Sequence, residues 1–271
     1  MKPLIHRFAF LCGFAALLLS CQPLPEEDAT SGSDKVYAIE EAFEIVAQEN
    51  DVARTLYTKG IVGAGQKKGL KFDEDWEDDE VEAGPLPALF LRGIASDIRK
   101  KNDVPLGLFL GSDFPVRKSN KFTGKQAALF EEIREDKEPK FFYDEEAQLY
   151  TAMFPDFAVA APCVTCHNEH PETTKTDWKM GDVMGATTWT YPEDSVSFDE
   201  LRGMIMAYRQ GASATFQAYL DKAASFHESE VPEVGETWPS QGYHLPSPEV
   251  FLDSVKMLAA NQTLNGLLKE E

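Results

Sequence analysis

The chain is short of basic residues and of cysteine, and beyond its first twenty residues it has no long apolar run. Lysines and arginines number 26 against 46 aspartates and glutamates, a formal charge of −20 at pH 7. Gripping a phosphate backbone needs a basic patch, so nucleic acid is excluded as a partner. Such acidity can orient a basic redox partner, although it also serves plain solubility. Four cysteines do not make a disulfide framework for a chain of this size. Past residue 20 no segment has the roughly 20 apolar residues that a bilayer span requires. No internal repeat or low-complexity tract interrupts the chain.

What is present is concentrated at Cys163-Val164-Thr165-Cys166-His167. The spacing CxxCH attaches a c-type haem: two thiols add to the porphyrin vinyl groups and the adjacent imidazole ligates the iron. A redox dithiol is one alternative, but it would open a helix after a strand in a βαβ unit, and none is legible here. Half of a zinc site is the other, and only His170 stands near enough to add a ligand. The reading is therefore one covalently bound haem c on Cys163 and Cys166, with His167 on the iron.

Haem c requires export, and the start of the chain agrees. Lys2 and Arg7 precede an apolar run from Phe8 to Leu19, a signal peptide over 1–20. The run ends Leu18-Leu19-Ser20-Cys21, which resembles the lipobox of bacterial lipoproteins. That resemblance implies lipidation at Cys21, a membrane anchor and a periplasmic location. Gln22 stands where Asp would suggest inner-membrane retention, so outer-membrane sorting is expected. Losing Lys2 and Arg7 takes the formal charge from −20 to −22. With Cys12 removed and Cys21 lipidated, no cysteine is left for a disulfide or for the second face of the iron.

Residues 21–33 are polar and read as a linker. Val36, Ile39, Phe43, Val46, Ala53 and Leu56 predict a helix that Gly60, Gly63, Gly65 and Gly69 stop. The acidic run Asp73–Glu82 lacks calcium-loop spacing and reads as a solvated loop. Pro85-Leu86-Pro87 opens a second helix, Leu106–Leu110 a strand, and Thr123 with Gln126 a capping box for a third helix. Phe141–Tyr143 and Gln148–Phe154 form a hairpin, CxxCH follows on a loop, and a turn at Gly181-Asp182 leads to a strand over Gly185–Tyr191. Ser197 with Glu200 caps a long helix, and Ser247-Pro248 caps a last one. Mixed helices and antiparallel strands make the class α+β.

Several stretches resemble a known family, single c-type haem domains of PAS-like fold. These occur as sensors of some bacterial chemotaxis receptors and histidine kinases and as stand-alone exported proteins. The resemblance covers about residues 54–192. It rests on Tyr57-Thr58-Lys59 with Val62, Pro85-Leu86-Pro87-Ala88, Phe114-Pro115, Tyr150 to Pro155, the haem motif, and Trp178 to Ala186. Val164 and Asn168 depart from the family's usual Leu and Gly. The resemblance implies a PAS-like antiparallel sheet flanked by helices over 34–195, followed by a C-terminal helical extension over 196–271. Receptor members continue into a membrane span, where this chain has two helices instead.

The sixth iron ligand decides the chemistry. His170, His227, His244, Met153, Met180, Met184, Met204 and Met206 are the candidates, and Arg117 and Lys118 could meet haem propionates. An open or weakly held site would suit a redox or diatomic-gas sensor that works through an unidentified signalling or redox partner. A strong ligand would make an electron carrier. No arrangement of residues demands catalysis, and peroxidase activity would need a distal base as well as open iron.

Overall fold

The computed structural model describes residues 35–227, 231–235 and 244–267. A short strand β1 (Val36–Ala38) leads into α1 (Ile39–Leu56), whose buried stripe includes Ala42, Phe43, Val46, Asn50 and Ala53. Gly60 and Gly63 do not stop this helix as expected. The chain winds on as a π-helix (Tyr57–Gly63) and then α2 (Ala64–Gln66). In the wider turn Gly63 lies against the Thr58 carbonyl, where a β-carbon would stand 3.2 Å from the oxygen. Tyr57 pins the stretch: its hydroxyl donates to the Pro85 carbonyl at 2.7 Å and its ring stacks on Phe90 at 4.1 Å. Gly69 performs the stop, at φ 100°. The Leu70 N–H donates to the Gly65 carbonyl (3.0 Å) and the Gly69 N–H to that of Gln66 (3.2 Å), the pattern that closes a helix with a left-handed glycine.

Strands β2 (Phe72–Asp73) and β3 (Gly84–Pro85) bracket the acidic run. Then come α3 (Pro87–Lys101), β4 (Gly107–Gly111), α4 (Gly124–Asp136), β5 (Lys140–Asp144), β6 (Leu149–Phe157) and α5 (Ala161–Glu169). The order ends with β7 (Val183–Tyr191), β8 (Ser195–Ser197), α6 (Phe198–Ala223), β9 (Glu233–Val234), β10 (His244–Leu245) and α7 (Pro248–Leu267). The class is α+β. Thr123 stands at the N-cap of α4, but its side chain makes no capping bond; Ser197 and Glu200 form the full reciprocal box on α6.

Four strands pair antiparallel in the order β4-β7-β6-β5. Alternation along each strand sends neighbouring side chains to opposite faces. Leu108, Ala152, Trp189 and Tyr191 enter the main core, while Phe109, Met153 and Ala186 join Phe130 and Ile133 of α4 in a second cluster. The C-terminal helices share that main core rather than lying beside it. Gly93 on α3 and Gly211 on α6 let those helices close up, since a β-carbon on Gly93 would meet Thr215 at 2.4 Å. Across α1, α6 and α7, fully buried Glu49 accepts from Arg209 (2.9 and 2.6 Å) and from Thr263 Oγ1 (2.7 Å).

Candidate functional site

The haem motif lies on α5, not on the loop expected for it. Pro162 in the first turn presets a helical φ. Asn168 ties the other end down: its Nδ2 donates to the Trp178 carbonyl (3.1 Å) and its Oδ1 accepts from the Trp178 N–H (2.9 Å). On a helix, positions three and four apart share a face, so Cys163, Cys166 and His167 lie together. None of the residues of α5 is buried, whereas α4 buries Phe130 and Ile133.

Beneath α5 is a third apolar cluster, distinct from the two already described. Ala158, Trp178 and Met184 form it, with Phe114, Cys163 and Val164 packed against it. A β-bulge delivers Met184. Asp156 pairs with Gly185 and Phe157 with Val183, which leaves Met184 as the extra residue. Bulges re-aim a side chain in this way. The buried Ser112 hydroxyl holds the bulge, donating to the Met184 carbonyl (2.6 Å) while accepting from the Phe114 N–H (3.1 Å). Gly185 is required here, because a β-carbon would stand 2.6 Å from the Gly111 carbonyl oxygen.

The His167 ring meets Trp178 edge-on, 6.4 Å between centroids at 89°. Its Nδ1 is buried and has no hydrogen-bond partner. Burial holds the His167 pKa below the ordinary imidazole range, against the pull of Asp156, so the neutral form that binds metals prevails. Arg54 pairs with Asp156 next to Cys163. Burial works against the Arg54 charge, but Asp156, with help from Asp51, holds its pKa above the usual value. Burial, then Glu74, raises the Cys166 thiol. Two thiols and a neutral imidazole on one helix face, with Cys166 exposed and an orphaned Nδ1 turned inward, are a donor set that suits a c-type haem.

The family model Tll0287-like matches residues 33–192. The chain belongs to that family. Its domains are c-type haem sensors of PAS-like kind. No curated protein and no solved structure matches the chain. The matched span of this Tll0287-like chain ends between β7 and β8, so it takes in α5 and the whole four-stranded sheet but not α6 or α7.

The structure separates the candidate sixth ligands. His170 is engaged: its Nε2 meets Glu74 Oε1 at 2.7 Å and its Nδ1 accepts from the Glu172 N–H at 3.1 Å. Met153 and Met204 are fully buried in the other two clusters. Met180 and Met206 are exposed. His227 lies beyond α6, where its backbone N–H meets Glu82. Of the seven candidates whose side chains are described, Met184 alone shares a cluster with Cys163. Arg117 lies 3.8 Å from Glu74, and Lys118 is exposed. The His244 side chain, Cys21, Cys12 and the signal-peptide and linker expectations lie outside the described residues. Glu74 was hidden from sequence reasoning inside an acidic run, and Arg54, Ser112 and Asn168 had no motif to announce them.

Proposed function

We propose that this chain is an exported, lipid-anchored protein carrying one haem c on Cys163 and Cys166 with His167 on the iron, and that it senses redox state or a diatomic gas. The supporting observation is α5, a helix that buries none of its residues, presents all three haem-motif side chains on one face and turns a buried Nδ1 away from solvent. When bound, the porphyrin supplies an iron whose second face can take electrons or a small ligand. The chain's residues do the rest. Cys163 and Cys166 hold the ring, and the depressed pKa keeps His167 unprotonated for the metal. Asn168 and Trp178 fix the helix bearing them. The sensor reading is favoured because His170 is already bonded at both ring nitrogens and Met153 and Met204 are packed elsewhere. Cys21 would anchor the protein on the periplasmic side, and a signalling or redox protein would receive the output.

A second reading, a monohaem electron carrier, rests on Met184 sharing a cluster with Cys163. Carbon monoxide decides between them. Protein made with a cytochrome maturation system is expected to gain one haem in mass, and its ferrous spectrum to shift with carbon monoxide at neutral pH. A colourless product of unmodified mass defeats both readings. An unshifted, low-spin spectrum that becomes carbon-monoxide-sensitive in Met184→Ala establishes the electron carrier. Turnover of peroxide in the same preparation would mark an enzyme.

A further inference from the structure

A groove of about 450 Å³ runs between α3 and β4, with Glu74 among the residues that line it. Arg92, Arg99 and Arg117 line it and outnumber Glu74 and Glu77, in a chain that is acidic as a whole, over an apolar floor that includes Leu89, Leu108 and Leu110. Arg92 and Arg99 are seven residues apart, two turns along one face of α3. Arg92 is half-buried, and no carboxylate lies within ion-pairing distance of it among the described residues. Burial and the charge on Arg117 both press its pKa down, with only Glu74 opposing them. Half-buried Arg92 beside the exposed guanidinium of Arg117 makes a pair whose mutual repulsion an anion relieves. Among the described residues Arg117 has one long ion-pair contact, 3.8 Å to Glu74, which leaves most of its five donors available.

We propose that this groove is a carboxylate receptor, in which Arg92 and Arg117 grip the carboxylate of a ligand whose apolar body lies along Leu89, Leu108 and Leu110. Guanidinium forks match carboxylates two bonds at a time, which suits this pair better than it suits a hydrated metal or a neutral ligand. Two sources carry that chemistry. One is the propionates of the porphyrin itself, an assignment that rests on the haem reading. Glu74 touches both Arg117 and His170 (3.8 and 2.7 Å), so the groove adjoins the end of the haem-motif helix. The other is a free small carboxylate in the surrounding medium, which needs no haem at all.

The experiment uses the full chain in two forms. One is loaded with haem; the other carries Cys163→Ser and Cys166→Ser, and its folding is confirmed by circular dichroism. No residue of α5 belongs to the main core, so the second form keeps that core. Titration calorimetry with succinate, benzoate and phenylacetate, with benzamide as the uncharged control, reads binding. The expected result is saturable carboxylate binding to the haem-free form, at least about tenfold weaker in Arg92→Gln and Arg117→Gln. Lys100→Gln, exposed and outside the groove, should leave it unchanged. If the haem-loaded form binds equally well, the ligand is a free solute. If loading abolishes binding and Arg92→Gln changes the pH dependence of the haem midpoint potential, the ligand is the propionates. No binding by the haem-free form, together with a haem-loaded Arg92→Gln that titrates like the parent, overturns the proposal. The intact mass reports separately whether haem was attached, so loss of the haem reading cannot be confused with loss of this one.

Discussion

Around Tyr57 four aromatic rings are packed to zero exposure: Tyr57 stacks on Phe90, Phe216 stacks on Phe251 at 4.6 Å, and Phe90 meets Phe251 edge-on at 5.9 Å. On α5 no residue is fully buried. Each buried aromatic contributes roughly 1.5–3 kcal/mol from its removal from water, so the first region holds itself together. The second is held at its edges, by Asn168 on Trp178 and His170 on Glu74, with Cys163 and His167 only partly covered and Cys166 exposed. The main core draws on α1, α3, α6, α7 and one face of the sheet, and it serves as the rigid base for a segment that gets little from the chain itself.

If the two regions are independent, breaking one leaves the other intact. The largest effect expected is functional: Cys163→Ser with Cys166→Ser should remove covalent haem entirely, read by mass, while far-ultraviolet circular dichroism and a cooperative unfolding transition persist. Loss of the fold would sink the comparison. The converse is Arg209→Ala, which strands Glu49 in the interior without its bidentate partner. Leaving an uncompensated buried charge costs about 3–5 kcal/mol. Denaturant midpoints should fall accordingly, while protein that folds still takes up haem.

Sequence and structure part company at identifiable places. The strands were legible because short apolar runs end at turn residues, Pro105 and Gly111 or Asp144-Glu145-Glu146, and the haem motif because its spacing is chemistry rather than conformation. The π-helix was not. Four glycines within ten residues read as a stop, and only the stacking of Tyr57 on Phe90 and its bond to Pro85 show why the turn widens and continues. Glu74 read as one charge in a solvated run, since its partner His170 lies 96 positions away. The bulge at Met184 depends on how β6 and β7 register, which no local pattern records. The C-terminal helical extension was legible as helices, but not what they pack on, because contacts to α1 such as Arg209 on Glu49 span 160 residues.

Gly185 lies in β7, the strand that carries Trp189 into the main core and Met184 into the cluster beneath α5, so it tests how separate the two regions are. In Gly185→Ala the new methyl has backbone as its nearest neighbour, the Gly111 carbonyl, which cannot swing aside. Strands β4 and β7 must part or the Met184 bulge must move. Overpacking of this kind costs about 1–3 kcal/mol, and here the loss should come with a shifted haem absorption band. A destabilised protein with an unaltered band would mean that the bulge does not set the haem surroundings.

The smallest effect belongs to the start of α6, well away from α5. Ser197 Oγ accepts from the Glu200 N–H at 3.3 Å, and Glu200 accepts from the Ser197 N–H at 2.7 Å. Removing such a cap costs about 1 kcal/mol, and Ser197→Ala should lower the unfolding midpoint without touching the haem spectrum. The pH dependence has a definite sign. The bond from the Ser197 N–H holds the Glu200 carboxyl below its ordinary range. Its contribution is therefore complete above the unfolded-state value of about 4.3 and is lost as pH falls through the lower folded value. The difference between Glu200→Gln and the parent should accordingly be present at neutral pH and shrink on acidification. Because Glu200 is largely exposed, added salt should shrink it too. An acid-stable difference would place the value of this cap in the Ser197 hydroxyl alone, and the contrast between core and haem helix would stand without it.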